Sequence, residues 1–400
     1  MHKRIAILGS TGSIGTTALR VIEGLNASLK DKSQQFEVVA LSGHTKVKLL
    51  AEQVKRYKPK YVVISESNNI EHLKNLLDGQ KVEILSGAEG LCRIAELEEV
   101  DTVLAAIVGA AGLHAVLAAV RKGKRIAIAN KEPLVIAGQL ITQEAKRYNA
   151  ELLPVDSEHS AIFQALSAGR RDEIEKIILT TSGGPFRQAS PAEIQNATLE
   201  QVLAHPVWRM GPKITVDSAT MMNKALEIIE ARWLFDVPVE KIEVMVHPQS
   251  IVHSMVEYVD GSVIAQLGYP EMSLPIQYAL TYPVRLAGNA RKLELSKLKT
   301  LTFEKPNPEI FPAIEMGFEA AKKGGTASAI FNAANEAAVE QFLAGKIKFG
   351  SIVELVRHCL DKTISKTNAS LEELLNADNW AKKEVIECLK KNKTHNRQTV

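Results

Sequence analysis

The chain has 400 residues, 46% hydrophobic and 24% charged, which is ordinary for a water-soluble protein and calls for two or three domains rather than one simple core. Its formal net charge is +3 and no basic stripe is interleaved with aromatics, which argues against a nucleic-acid partner. Three widely spaced cysteines (Cys92, Cys359, Cys388) suit reduced thiols in a cytoplasmic protein, not a disulfide framework or a zinc site.

Met1-His2-Lys3-Arg4 runs directly into an apolar strand at 5–8, without the pattern of a signal or transit peptide. Further strands are predicted at 37–41, 61–64, 102–107, 125–128 and 151–154, with helical stretches such as 46–57 and 115–122 between them. That alternation predicts an α/β chain opening with a Rossmann-like, doubly wound parallel sheet over residues 1–155. Residues 103–120 are apolar apart from His114, but their alanines, Gly109 and Gly112 fit a buried strand and helix better than a membrane span.

From 156 to 281 helices at 160–168 and 219–234 mix with strands at 176–181, 242–246, 252–258 and 262–267, the last two joined by an Asp260-Gly261 turn. This predicts a central α+β catalytic domain. Residues 182–212, rich in Gly, Pro and polar residues, read as a mobile lid within it. Residues 282–312 carry four prolines and little periodicity and read as a linker, and helices at 313–323, 327–344, 351–362 and 371–391 predict a C-terminal helical bundle over 313–400. Residues 392–400 are polar and expected to fray.

The first strand ends in Gly9-Ser10-Thr11-Gly12-Ser13-Ile14-Gly15, whose glycines let a turn tighten and backbone amides approach a pyrophosphate at a helix N-terminus. After the second strand, Gly43-His44-Thr45-Lys46 lacks the acid that an NAD site uses to hold ribose hydroxyls, which favours NADP. Three further motifs follow strands or fall on helices: Asn130-Lys131-Glu132, Asp156-Ser157-Glu158 and Asn223-Lys224-Ala225-Leu226-Glu227. Asp156 and Glu158, at i and i+2, would point the same way from an extended backbone. Asn223 and Glu227, at i and i+4, would share a helix face. Three carboxylates beside two lysines suit a hard divalent cation and an anionic substrate.

Ser182-Gly183-Gly184, Ser218, Asn223 and Lys224 have the hydroxyls, amide and ammonium that a terminal phosphate needs, although serine turns and helix caps use the same residues. His205-Pro206, Trp208 and Met210-Gly211 could form a cover over bound substrate; a tryptophan packed on the surface is the plainer alternative.

Taken in order, these strings, with Ala106–Gly112, Lys213–Glu227 and His247-Pro248-Gln249-Ser250, resemble the 1-deoxy-D-xylulose 5-phosphate reductoisomerase family over essentially the whole chain. The resemblance implies an NADPH-dependent, divalent-metal enzyme that rearranges and reduces 1-deoxy-D-xylulose 5-phosphate to 2-C-methyl-D-erythritol 4-phosphate. It implies Mg²⁺ or Mn²⁺ on Asp156, Glu158 and Glu227. The substrate would meet Lys131, Ser157, Glu158, Ser182, His205, Trp208, Ser218, Asn223, Lys224 and Glu227, with Lys131, Glu158, His205 and Glu227 as catalytic groups. NADPH would contact Thr11, Gly12, Ser13, Ile14, Gly43, His44, Thr45, Asn130, Glu132 and Gly211. A homodimer, inhibition by fosmidomycin and no nucleic-acid or membrane partner are also implied. His44-Thr45 stands where some members carry Lys-Asn, so the grip on a 2′-phosphate is expected to be weaker or shared with Lys46; Pro133 replaces a common Ser. A simple dehydrogenase, such as one acting on a semialdehyde, would need a cysteine nucleophile in a catalytic motif, and a redox-sensing NADP module would need no metal carboxylates.

Overall fold

A computed structural model of the chain describes residues 3–208 and 210–398, with side chains for all of these but Lys32 and residues 392–398. It divides into two compact units. The first comprises the described residues up to Pro133 together with Ile141–Ser160 and Glu271–Leu293. Its seven strands are β1 (Lys3–Leu8), β2 (Phe36–Gly43), β3 (Tyr61–Ile64), β4 (Glu83–Ser86), β5 (Thr102–Ala105), β6 (Arg125–Ile128) and β7 (Glu151–Pro154). They form one sheet in the order β4-β3-β2-β1-β5-β6-β7, and every pairing is parallel. The expected doubly wound sheet is therefore present. Its strands are apolar on both faces because helices cover both, and Ile5, Ala6, Ile7 and Leu8 of β1 are all fully buried.

The chain winds outward in opposite directions from β1 and β5, and the crevice between such strands is where doubly wound folds bind ligands. The turn after β1 lies in this crevice. An added Cβ on Gly15 would meet the Gly9 carbonyl oxygen at 2.3 Å and the Ser10 Cα at 2.4 Å, so helix Ser13–Ser28 packs backbone to backbone on its own loop. Segment Glu271–Leu293 is fastened to this sheet by cations: Lys3 Nζ donates to the carbonyls of Leu280 (2.7 Å) and Tyr282 (3.2 Å), and Arg125 donates to Tyr282 (2.7 Å). Burial pushes the Lys3 ammonium down to about 8.

The second unit comprises Leu134–Leu140, Ala161–Pro270 and the described residues from Glu294 onward. Its strands are β8 (Ile174–Thr181), β9 (Ile242–Val246), β10 (Val252–Tyr258) and β11 (Val263–Leu267), in the order β11-β10-β8-β9. β10 runs antiparallel to β8 and β11, and β8 runs parallel to β9. The Asp260-Gly261 turn joins β10 to β11 as expected, with Gly261 at φ +84° and the Ser262 amide donating to the Asp260 carboxylate. Helices Pro312–Lys323, Thr326–Leu343, Ser351–Asp361 and Leu371–Gln398 match the four predicted ones. The last continues beyond 391 to Gln398, so the expected fraying does not begin there; residues 399–400 lie outside the described residues. Ala225, Ile228 and Ile229 of the central helix share one apolar core with Ala313, Met316 and Phe331 of this bundle.

Several boundaries differ from expectation for local reasons. β4 was not anticipated, because it is a short strand of intermediate exposure after the charged Lys81. The predicted helix 219–234 is two helices, Pro212–Ala219 and Met222–Phe235, broken where Met221 takes a left-handed φ of +62°. The lid segment contains two short helices, Pro191–Gln195 and Leu199–Leu203, each opened by a capping box (Ser190 with Glu193, Thr198 with Gln201), and it buries Phe186, Ala197 and Val202. The rest of it, chiefly 182–190 and 204–211, is turn and irregular backbone, and Arg209 lies outside the described residues. Among the described residues no helix is long and apolar enough to cross a membrane.

Gly15→Ala should destabilise the first unit by about 1–3 kcal/mol, the usual cost of overpacking, whereas Gly211→Ala, with nothing within 4 Å of the new methyl, should cost under about 0.5 kcal/mol. Calorimetric unfolding of the two variants checks this: similar transitions would contradict the close packing of Gly15.

Candidate active site

In the first unit the nucleotide-side residues cluster at one edge of the sheet. Helix Ser13–Ser28 begins after Gly12, and no side chain caps it, so its first-turn amides have the partial positive charge that an anionic group would fill. Thr11 is buried, and the loop is braced by Ser42, whose hydroxyl accepts from the Gly9 amide (2.8 Å) and whose carbonyl accepts from the Ser10 amide (2.7 Å). Gly43 ends β2, and the exposed His44 and Thr45 follow it. Lys46 Nζ reaches the Thr11 carbonyl (3.4 Å). Asn130, just beyond β6, donates to the Gly109 carbonyl (3.2 Å) and to Glu132 (2.9 Å), and both Asn130 and Glu132 are buried. A side-chain-free helix N-terminus and a loop with no room for a Cβ are what a dinucleotide pyrophosphate requires, so these residues fit the cofactor.

The carboxylate motif of this unit is arranged differently from the extended backbone expected. Helix Ser157–Ala165 starts one residue after Asp156, whose carbonyl accepts from the Ser160 amide (2.8 Å), and Glu158 lies in its first turn. Both carboxylates therefore gather at a helix N-terminus, where the backbone dipole favours negative charge. Lys131 Nζ lies 2.8 Å from Asp156, and His159 Nδ1 lies 3.7 Å from it. Burial alone would raise the Asp156 carboxyl, but the Lys131 ammonium and the His159 ring outweigh it and hold the acid well below the usual carboxylate range. Ser157 Oγ donates to Glu158 (2.5 Å).

The second unit holds the remaining candidates. On helix Met222–Phe235, Asn223 donates to one oxygen of Glu227 (2.5 Å) and Lys224 pairs with the other; Glu227 is fully buried and Lys224 nearly so. The helical i, i+4 expectation is met. Ser182, at the end of β8, bonds His205 Nε2 (3.2 Å). His205 Nδ1 accepts the amides of Val207 (3.1 Å) and Trp208 (2.9 Å), so in the neutral ring the proton sits on Nε2 and is donated to Ser182. Burial lowers the His205 pKa and favours that neutral form. Gly184 lies against the backbone of Ser218, where an added Cβ would be 2.9 Å from the Ser218 carbonyl. Trp208 is half-buried, its ring 6.3 Å from that of His253. Gly211 is the N-cap of helix Pro212–Ala219 in this unit.

Sequence reasoning missed several supports. Asp217, next to Ser218, is buried between Lys213 (2.8 Å) and Asn335 (2.8 Å), a tie from helix Pro212–Ala219 to the C-terminal bundle that no local pattern announces. Ser65 bonds His44 Nδ1 (3.0 Å), and only the pairing of Gly43 with Ile64 across β2 and β3 could have signalled it. As oxygen donors, Asp156 and Glu158 in one unit and Glu227 in the other have the hard carboxylate chemistry that Mg²⁺ or Mn²⁺ takes.

Residues 5–138 match the family model described as 1-deoxy-D-xylulose 5-phosphate reductoisomerase, residues 152–235 its C-terminal domain, and residues 267–384 the DXP reductoisomerase C-terminal domain. The 1-deoxy-D-xylulose 5-phosphate reductoisomerase of Pelodictyon phaeoclathratiforme is 52% identical over 380 residues, covering 95% of this chain and 98% of that protein. That of Clostridium perfringens is 46% identical over 387 residues, covering 96% and 99%. Among solved structures, the Zymomonas mobilis enzyme in complex with NADPH has a TM-score of 0.89 at 44% identity, covering 97% of this chain and 99% of that one. A reductoisomerase in complex with NADPH, fosmidomycin and magnesium has a TM-score of 0.91 at 42% identity, covering 98% and 99%. With matches of this extent at both levels, the chain belongs to the 1-deoxy-D-xylulose 5-phosphate reductoisomerase family.

Proposed function

We propose that the chain converts 1-deoxy-D-xylulose 5-phosphate into 2-C-methyl-D-erythritol 4-phosphate, using NADPH and Mg²⁺ or Mn²⁺, in the non-mevalonate route to isoprenoid precursors. The observation that carries this reading is the relative in complex with NADPH, fosmidomycin and magnesium, which spans 98% of this chain. The reaction rearranges the carbon skeleton by retro-aldol cleavage and re-addition, then reduces the resulting aldehyde.

Asp156, Glu158 and Glu227 are assigned as metal ligands. A divalent cation supplies Lewis-acid stabilisation of the negative charge that carbon–carbon cleavage develops on oxygen. Lys131, paired with Asp156, is assigned to neutralise charge on a substrate oxygen. Ser182, Ser218, Asn223 and Lys224 are assigned to the phosphate, with Ser157 beside them on the substrate. Anchoring this remote end spends binding energy on orientation. His205, kept neutral with its proton on Nε2, donates a hydrogen bond, and Trp208 covers the substrate and excludes water. Thr11 to Ile14, Gly43 to Thr45, Asn130, Glu132 and Gly211 are assigned to NADPH, which supplies the hydride.

The functional partition proposed is by role: cofactor binding over 1–155, catalysis over 156–281 with the cover at 182–212, a linker at 282–312 and a helical domain over 313–400. The chain is also proposed to be a cytoplasmic homodimer. In support, β11 is an edge strand with Val263 and Ile264 exposed at 47% and 37%, next to Val259 at 63%, and an uncovered apolar edge is what two copies can pair through.

Oxidation of NADPH on adding 1-deoxy-D-xylulose 5-phosphate, followed by absorbance, tests the function: it should require both that substrate and Mg²⁺, and metal-independent turnover would refute the reading. In the same assay Glu227→Gln and Asp156→Asn should each lose about tenfold or more in kcat/KM, while Glu240→Gln, on an exposed site, should not change it. Trp208→Ala should lower turnover while NADPH affinity and the melting temperature hold. Unchanged kcat/KM in that variant would reduce Trp208 to a surface packing residue.

A further inference from the structure

The end of β2 carries no carboxylate, yet one arrives from the neighbouring strand. β2 and β3 are parallel, with Gly43 opposite Ile64, so the residues after each strand emerge side by side. In a doubly wound fold this is the edge where the ribose of a dinucleotide's adenosine is read. His44 follows β2; Ser65 and Glu66 follow β3. Ser65 Oγ donates to the Gly43 carbonyl (3.2 Å) and therefore accepts from His44 Nδ1 (3.0 Å). With the Nδ1 proton committed to Ser65, Nε2 can donate to an anion only in the imidazolium form, and the Glu66 carboxylate lies 3.8 Å from it. His44 is 64% exposed and Glu66 41%, so both are within reach of a ligand.

A 2′-phosphate at this edge would meet the His44 imidazolium, and the Glu66 carboxylate stands beside that ring. Lys46 directs its ammonium to the Thr11 carbonyl on the glycine loop (3.4 Å). We infer that Glu66 sets the cofactor preference of this chain. Its carboxylate repels the 2′-phosphate of NADPH and competes with it for the Nε2–H of the His44 imidazolium. The same carboxylate can accept a hydrogen bond from the 2′-hydroxyl of NADH, the task an acid at the end of β2 performs in NAD sites. The chain consequently separates the two nucleotides less sharply than an edge lined only by cations would. This inference rests on the dinucleotide reading of the glycine loop.

Calorimetric titration of NADPH and NADH into the wild type, Glu66→Gln and Glu71→Gln tests it without turnover. Glu71 is the control: it lies on the next helix, 74% exposed and paired with Lys74. Glu66→Gln should tighten NADPH by about fivefold, the scale of one exposed charge interaction, and should leave NADH unchanged or weaker. The gain should shrink in about 0.5 M salt, where such charges are screened. Glu71→Gln should alter neither affinity. An unchanged NADPH-to-NADH affinity ratio in Glu66→Gln, or an equal change in Glu71→Gln, overturns the assignment. If the wild type bound neither nucleotide, the dinucleotide reading would fall and this inference with it.

Discussion

Each unit sets a carboxylate of low exposure against a lysine, and these two pairs constrain the chemistry of everything around them. Lys131 holds Asp156 in the first unit, and Lys224 holds Glu227 in the second. A charge taken out of water and left alone costs several kcal/mol, and removing one partner of a buried pair typically costs about 3–5 kcal/mol. The ammonium beside each acid offsets that cost, with His159 adding to it at Asp156 and Asn223 at Glu227. Ionised oxygen is what a hard cation binds, and an ammonium beside it is what an anionic substrate meets. The same arrangement that makes burial tolerable keeps the site's charges ready for use.

The scaffold around these pairs is built to hold short polar motifs still. In the first unit the motifs leave the carboxyl ends of β1, β2, β6 and β7, whose fully apolar interiors leave little freedom of register. In the second, helix Met222–Phe235 is buried along nearly its whole length against the C-terminal bundle, so Asn223, Lys224 and Glu227 project from a rigid element. The Asp217–Asn335 bond adds a polar tie from that bundle to the helix bearing Ser218. Residues far along the chain thereby support a site they do not enter.

The parts legible in the sequence were those with a strong local signal. Short apolar runs alternating with helical stretches made six of the seven parallel strands readable, and period-3.6 patterns made the four C-terminal helices readable, because each helix is apolar on a well-defined face. The Asn223–Glu227 helix spacing was readable for the same reason. The Asp156–Glu158 geometry was not: a Val-Asp-Ser-Glu string after a strand can continue extended or start a helix, and the choice is made by the packing of Ala161 and Ile162, both fully buried. Met221 broke a predicted helix because nothing in a methionine announces a left-handed backbone. Glu66 was missed because the acid at the cofactor edge belongs to a neighbouring strand, and only the pairing of strands makes it a neighbour.

The proposed mechanism requires that Asp156 and Glu227, far apart in sequence, each contribute to binding a divalent ion. Titration of Mn²⁺ into the chain, with free ion counted by electron paramagnetic resonance, tests this directly and needs no turnover. One bound ion per chain is expected, and Asp156→Asn and Glu227→Gln should each weaken it by about tenfold or more. Wild-type Mn²⁺ affinity in both variants would contradict the metal site and the mechanism built on it.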